Sequence, residues 1–240
     1  KMLVKKYAIR GSNNSVFTMF RSLIYAALER KLKCAYRDQL AALGPNPKGV
    51  FWRNESTQIA RFNALLNLVA MVTPVTNPVL ADVGCGYGAM LNFIQKTPRY
   101  QNFHYIGIDI NRAMINTCKQ KFPNQKRLFF VGKYPPLPVD FCVFSGTFNL
   151  CHTTDTSLWL NYVFANLQQC WERSRYGLLL NLLCGPQTEV KKQIFHVERQ
   201  TFVATASQVF GPTLAQTTPH VRGDVTFLIA KQELRIRNNR

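Results

Sequence analysis

A doubly wound, mostly parallel α/β sheet with helices on both faces and an N-terminal helical extension is the fold class that these 240 residues predict. Three observations predict it. From residue 79 onward, short apolar runs alternate with stretches of helical spacing; the first of those runs ends in a glycine-rich loop; and a basic segment of helical periodicity precedes them all. With 47% hydrophobic residues, a chain of this length can bury one good core. The expected division is a basic helical extension and linker at 1–49 and an α/β domain at 50–240.

The elements follow in order. Residues 15–43 have helical periodicity, with Val16, Phe20, Leu23, Ile24, Ala27 and Leu28 spaced to pack. GPNPKG at 44–49 ends that helix, because two prolines and two glycines cannot continue it. Asn54 or Ser56 is a candidate cap for a second helix, in which Ile59, Phe62, Leu65, Leu66 and Val69 recur at steps of three and four before Thr73 and Pro74 close it. Strands are expected at VLADVG (79–84), YIGIDI (105–110), LFFVG (128–132), VDFCVFSG (139–146) and YGLLLNLL (176–183), with helices at 88–96, 111–121 and 156–172 between them. The last run, DVTFLIAK (224–231), follows a Thr/Pro-rich loop and alternates only weakly, which predicts an added edge strand.

Composition narrows the function classes. No apolar run approaches the roughly 18 residues needed to span a bilayer, so a soluble protein without a transmembrane segment is expected. Seven scattered cysteines with no CxxC pair suggest neither a metal centre nor a disulfide framework, and fit a reducing compartment. The first 28 residues lack acids, as an organelle transit peptide does; the alternative, a retained basic surface helix, is favoured by the apolar spacing. The expected location is therefore the cytoplasm, or an organelle matrix if that segment is a targeting remnant. A net charge of +18 points to a polyanionic neighbour such as RNA or a ribonucleoprotein, or failing that an anionic membrane surface. Ten basic and two acidic residues fall in 1–50, against ten and four in 51–150 and ten and six in 151–240, so the excess is greatest at the N-terminus. Oligomeric state is not readable from any of this.

ADVGCGYGAM at 81–90 carries the strongest chemical signal. Asp82 is followed by Gly84, Gly86 and Gly88, a loop between a buried strand and a helix that lets backbone approach a ligand and leaves free N–H groups at the helix start. The spacing is G-x-G-x-G, whereas the dinucleotide fingerprint is G-x-G-x-x-G and makes room for a pyrophosphate. Asp109 ends the second strand, where a carboxylate can accept both ribose hydroxyls of an adenosine moiety.

On these residues the chain resembles the class I, Rossmann-like S-adenosylmethionine-dependent methyltransferases, whose first motif is similar to DVGCGYG and whose second is similar to YIGIDI. The resemblance spans roughly residues 50–231 and implies a seven-stranded sheet with its last strand antiparallel. It also implies S-adenosylmethionine as cofactor, with Asp82 and the backbone from Gly84 to Gly88 at the methionine part and Asp109 at the ribose. More narrowly, PKGVFW followed by QIARF, and later FSGTFN, are similar to a group of small methyltransferases of unassigned acceptor. That likeness implies that Trp52 and Arg61 close over the cofactor; a packing aromatic and a solvated helix face are their alternatives. The cofactor set is thus Asp82, Gly84, Cys85, Gly86, Gly88, Asp109, Ile110, Trp52, Arg61 and Ser145. The chain departs from the family at Lys133, which follows Gly132 where many members place an acid for the adenine amino group. A lysine has no acceptor, so adenine must be read by another group or bound more weakly.

The acceptor should lie beyond the fourth strand, at SGTFNLCHTTD (145–155), because ligands of open sheets bind past the carboxyl ends of strands. The Asn/Asp-Pro-Pro-aromatic pattern associated with methylation of base amines is absent there. Asn149 can orient an acceptor, Phe148 can stack on a flat ring, and His152 can take a proton near neutral pH. The alternatives are that Ser145 and Asn149 satisfy loop backbone and that His152 and Asp155 form a turn and a helix cap. Cys151 and Cys184 are the positioned thiols for a covalent route, without the local pattern such enzymes carry. Three functions follow: a methyltransferase on RNA, favoured by charge; a methyltransferase on a small molecule; and a methyltransferase fold without activity that serves in RNA binding or assembly.

Overall fold

A computed structural model describes residues 15–232, with side chains from Met19 onward. Its elements are α1 (Ser15–Leu43), α2 (Glu55–Val72), β1 (Val79–Val83), α3 (Ala89–Lys96), β2 (His104–Asp109), α4 (Arg112–Lys121), β3 (Phe129–Val131), β4 (Val139–Phe144), α5 (Thr156–Arg173), β5 (Ser174–Gly185), β6 (Glu189–Lys191), β7 (Ile194–Glu198), α6 (Arg199–Val209), β8 (Thr213–Thr217) and β9 (Asp224–Ala230).

The main sheet runs β3-β2-β1-β4-β5, all parallel, and continues through β9, antiparallel to β5, to β8. These seven strands, with β9 antiparallel, are the arrangement that the resemblance implied. Two more strands form a hairpin, β6–β7, on the far end of β5, where Cys184 pairs with Val197. This end of the sheet is beyond the carboxyl ends of the parallel strands.

Strand alternation distributes the core between the two faces. Leu80, Phe141, Val143, Leu179 and Leu228 point to one side, where α2, α3 and α4 cover them. Ala81, Cys142, Phe144, Leu178, Leu180, Phe227 and Ile229 point to the other, where α1, α5 and α6 pack. With both faces covered, the strands read as continuous apolar runs. Side-chain caps fix the starts of α2 and α5: Asn54 accepts the Thr57 N–H at 2.9 Å and Asp155 accepts the Leu158 N–H at 2.9 Å.

Two expectations are corrected. DVTFLIAK is no edge strand: β9 is buried at all seven positions and pairs with β5 on one side and β8 on the other. Its weak alternation reflects burial on both faces, and the edge is β8, hidden in the Thr/Pro-rich stretch. In α1, Phe20, Leu23 and Ala27 do not pack; all three are exposed, Phe20 and Leu23 with Met19 at 61–63%. The buried face begins further along, with Tyr25 edge-on to Tyr162 at 5.3 Å and with Leu28 and Leu32 in the same core as β1, β4 and β5. Val16 and the basic stretch 1–14 lie outside the described side chains.

Candidate active site

The glycine loop is locked to the end of β2, because Gly84 and Cys85 both donate their N–H to the Ile108 carbonyl, at 2.7 and 3.0 Å. Gly84 has φ +81°, and a Cβ there would lie 2.6 Å from the Thr147 methyl group. Thr147 in turn donates its hydroxyl to the Val83 carbonyl at 2.7 Å, tying the end of β4 to the end of β1. Gly88, at φ +77°, opens α3, and a Cβ there would meet the Phe122 ring at 2.8 Å. The loop therefore needs glycine for its own left-handed backbone and for its neighbours.

Asp109 is oriented by that loop. Its Oδ2 accepts the Gly86 N–H at 3.0 Å and its Oδ1 the Asn111 N–H at 2.8 Å, which leaves acceptor capacity on both oxygens. Burial pushes its carboxyl up to about 6, against the pull of those two donors. Asp82, 2% exposed, is pushed up to about 7 by burial, opposed by the Tyr105 hydroxyl that donates to it at 2.8 Å. Both carboxyls line one cavity with the glycine loop, Ile110 and the segment from Ser145 to Phe148.

A roof completes this cavity. Leu32, Lys33 and Tyr36 of α1 line it, together with Val50 and Trp52 from the turn after α1. Asn111 donates its amide to the Lys33 carbonyl at 3.0 Å, and Gln39 donates to the Lys48 carbonyl at 2.9 Å. Lys133 Nζ stands 2.6 Å from the buried Glu29 carboxylate of α1. Trp52 lies so close to Gly146 that a Cβ there would be 2.8 Å from its ring.

Asp82, Gly84, Cys85, Gly86, Asp109, Ile110, Trp52 and Ser145 all line this cavity. Ser145 Oγ is buried there without a hydrogen-bond partner. Gly88 shapes the start of α3 from behind the wall. Arg61 does not reach the cavity: its Nε is 2.6 Å from the Asp224 carboxylate and its guanidinium stacks on Trp52 at 4.6 Å. Burial of Asp224 leaves it needing that cation more than a solvated ligand would.

The acceptor candidates separate. Phe148 lines the cavity, whereas Asn149 is used by backbone, its Oδ1 accepting the Leu183 N–H at 3.2 Å. His152 and Cys151 line a second, more open cavity, and Cys184 lines neither. Asp155 is the cap of α5. Sequence reading missed the α1 wall and Tyr162 and Asn166 of α5; Gln58 and Thr147 fall in the QIARF and FSGTFN stretches without being singled out. For α1 a signal exists, since Leu32 and Tyr36 stand one turn apart; for the rest only the folded chain brings them together.

The family model described as a methyltransferase domain matches residues 80–169. A curated Mycobacterium tuberculosis protein named as a methyltransferase is 29% identical over 103 residues, which are 42% of this chain and 61% of that protein. The chain thus spans less than two thirds of that relative's length. Among solved structures, a Leishmania major S-adenosylmethionine-dependent methyltransferase superposes with a TM-score of 0.57 at 14% identity, covering 82% of each chain. An amino pentose methyltransferase from Micromonospora echinaspora, solved with S-adenosylmethionine bound, gives 0.53 at 14% identity over 74% of this chain and 93% of its own. At these identities the structural likeness establishes the fold.

Proposed function

We propose, from the premise that this chain carries a class I methyltransferase domain, that it transfers a methyl group from S-adenosylmethionine to a small-molecule acceptor. The observation that carries the reading is the Asp109 carboxylate, held by the Gly86 N–H of the glycine loop with acceptor capacity left on both oxygens. The cavity fits the cofactor: it holds two buried carboxyls, an unpartnered Ser145 hydroxyl and apolar walls. Asp109 would hold the ribose hydroxyls, Asp82 and the backbone at 84–86 the amino-acid end, and Ile110 the adenine face. Asn166 would bring the amide oxygen that Lys133 lacks. When bound, the cofactor supplies an electrophilic methyl carbon.

The chain's part in the reaction is positioning and exclusion of water. Leu32, Tyr36, Val50 and Trp52 close the cavity from above, and Phe148 with Ser145 walls the acceptor side. Holding two reactants in line at near-attack distance is worth roughly 7–11 kcal/mol. Among the described residues no imidazole lines the cavity, so the acceptor atom best served is one that brings its own lone pair. The roof is what favours a small acceptor, because a nucleic acid would have to displace it. Labelled methyl transfer across a panel of small amines, thiols and carboxylates tests this; no product with any of them, with cofactor binding intact, counts against it.

A second reading, with RNA as acceptor, rests on the +18 charge. RNA affinity should then fall steeply between low and moderate salt as counterions are released. RNA-dependent product formation would favour that reading over the first.

A further inference from the structure

The second cavity has a composition unlike the first. Lys31 of α1, the segment Cys151–Thr154 before α5, and Val190, Lys192 and Gln193 of the β6–β7 hairpin line it. Among the described residues no carboxylate does. The two nearest along the chain are occupied, Asp155 in capping α5 and Glu189 in an ion pair with Lys191 at 2.6 Å. His152 Nε2 is buried in this setting without a hydrogen-bond partner. Lys31, Lys192 and the His152 side chain line one concavity, and among the described residues no carboxylate pairs with either lysine.

The hairpin is built to keep Lys192 there. Lys192 and Gln193 have φ +49° and +63°, the left-handed conformation that a two-residue hairpin turn demands at both central positions and that Asn-Gly supplies most easily. Here a lysine and a glutamine are held in it instead. The Cys151 N–H donates to the Gln193 carbonyl at 2.8 Å, clamping the turn to the segment that carries His152. Strain retained at a charged residue on a cavity wall is the pattern of a functional position.

We propose that this cavity binds the phosphate group of a small ligand, with Lys31, Lys192 and the imidazolium form of His152 as its donors. A phosphate monoester offers three acceptor oxygens and close to two negative charges at neutral pH, matching three donors of this kind. Burial and the nearby Lys31 charge both push His152 below the usual imidazole value in the free protein, and Cys151 is kept a neutral thiol by burial. Binding a phosphate beside the ring therefore draws a proton onto His152.

The two cavities share no lining residue, but their walls are neighbours along the chain. Consecutive residues of α1, Lys31 and Leu32, wall the two cavities, as do Cys151 and Phe148 of one loop. A ligand anchored here by phosphate would present its other end to the glycine-loop cavity as a methyl acceptor; this last step alone rests on the methyl-transfer reading.

The test follows the His152 imidazole by NMR while inorganic phosphate is titrated into the full chain, with His152→Gln to assign the signal. Phosphate should raise the imidazole value by about one unit, the mark of a roughly tenfold preference for the protonated ring. Lys192→Gly removes the charge and the strain together, so it should fold at least as well while weakening phosphate roughly threefold to fivefold. No change at His152 on saturating phosphate, or an equal response in Lys192→Gly and the parent, overturns the site. A single-stranded oligoribonucleotide that shifts His152 when inorganic phosphate does not overturns the small-ligand assignment in favour of a nucleic acid. Phosphate binding without methyl transfer to any phosphorylated acceptor upholds the site and removes only its link to catalysis.

Discussion

Lys133 Nζ lies 2.6 Å from the carboxylate of Glu29, joining the end of β3 to the helix that roofs the cavity. The lysine stands where a cofactor-reading acid was expected, and its partner comes from a segment more than a hundred residues earlier. The carboxylate side is 7% exposed and the lysine 40%, so the pair is intermediate between surface and buried cases. Lys133→Ala strands a buried carboxylate and should cost about 1–3 kcal/mol in denaturant unfolding, more than Glu29→Gln. Both variants should weaken cofactor binding by loosening α1; undiminished binding in Lys133→Ala would show that the roof needs no such tie.

The pH dependence of cofactor binding should follow Asp109 and Asp82. Without ligand their carboxyls are held up to about 6 and about 7 by burial. A ligand that donates two hydroxyls to one and an ammonium to the other needs both ionised, so its binding releases protons below neutrality. Affinity should fall as pH drops through 7 and then 6, by up to about tenfold per unit for each group. For folding of the ligand-free protein the sign is opposite: both raised groups favour the folded state below 3.8, and that contribution is lost as pH rises through 6 and 7. Calorimetry between pH 5.5 and 8 checks the binding limb, and a flat affinity would contradict it.

Gly84→Ala should be far worse than Gly132→Ala, although both glycines line the cavity. A methyl at 84 would sit 2.6 Å from Thr147 on a backbone at φ +81°, whereas at 132 the nearest atom is 3.7 Å away. The first should cost about 1–3 kcal/mol and disturb the Thr147 tie between β1 and β4; the second should stay within about 0.5 kcal/mol. Thermal unfolding of the pair is sufficient to decide.

Arg61 is predicted to act on stability. Its side chain is 10% exposed and that of Asp224 0%, so Arg61→Leu leaves a buried carboxylate unpaired and should cost about 3–5 kcal/mol. Cofactor affinity of the folded fraction should change less than about tenfold, through Trp52 alone. A large loss of affinity at unchanged stability would return Arg61 to the cofactor set.

The parallel strands were legible because burial on both faces gives unbroken apolar runs, and the glycine loop because Asp82, Gly84, Gly86, Gly88 and Asp109 lie in two short stretches. Strand β9 was legible as a strand and misplaced as an edge, because its partner β8 is a Thr-containing segment with little apolar signal. The roof was not legible as a roof. Helical spacing predicted α1, but which residues pack depends on where the helix meets the sheet, and that left Phe20 and Leu23 exposed while Leu32, Lys33 and Tyr36 reached the cavity. His152 and Asn149 are neighbours in sequence and part in the fold, one facing a second cavity and the other satisfying the Leu183 backbone.

Calorimetric titration of S-adenosylmethionine into the protein and into Asp109→Ala tests whether Asp109 holds the cofactor. Binding should weaken about 100-fold or more in the variant, because two hydrogen bonds to a charged acceptor are lost at about 1.5–3 kcal/mol each. Equal affinity in both, or no binding to the folded parent, would contradict that role.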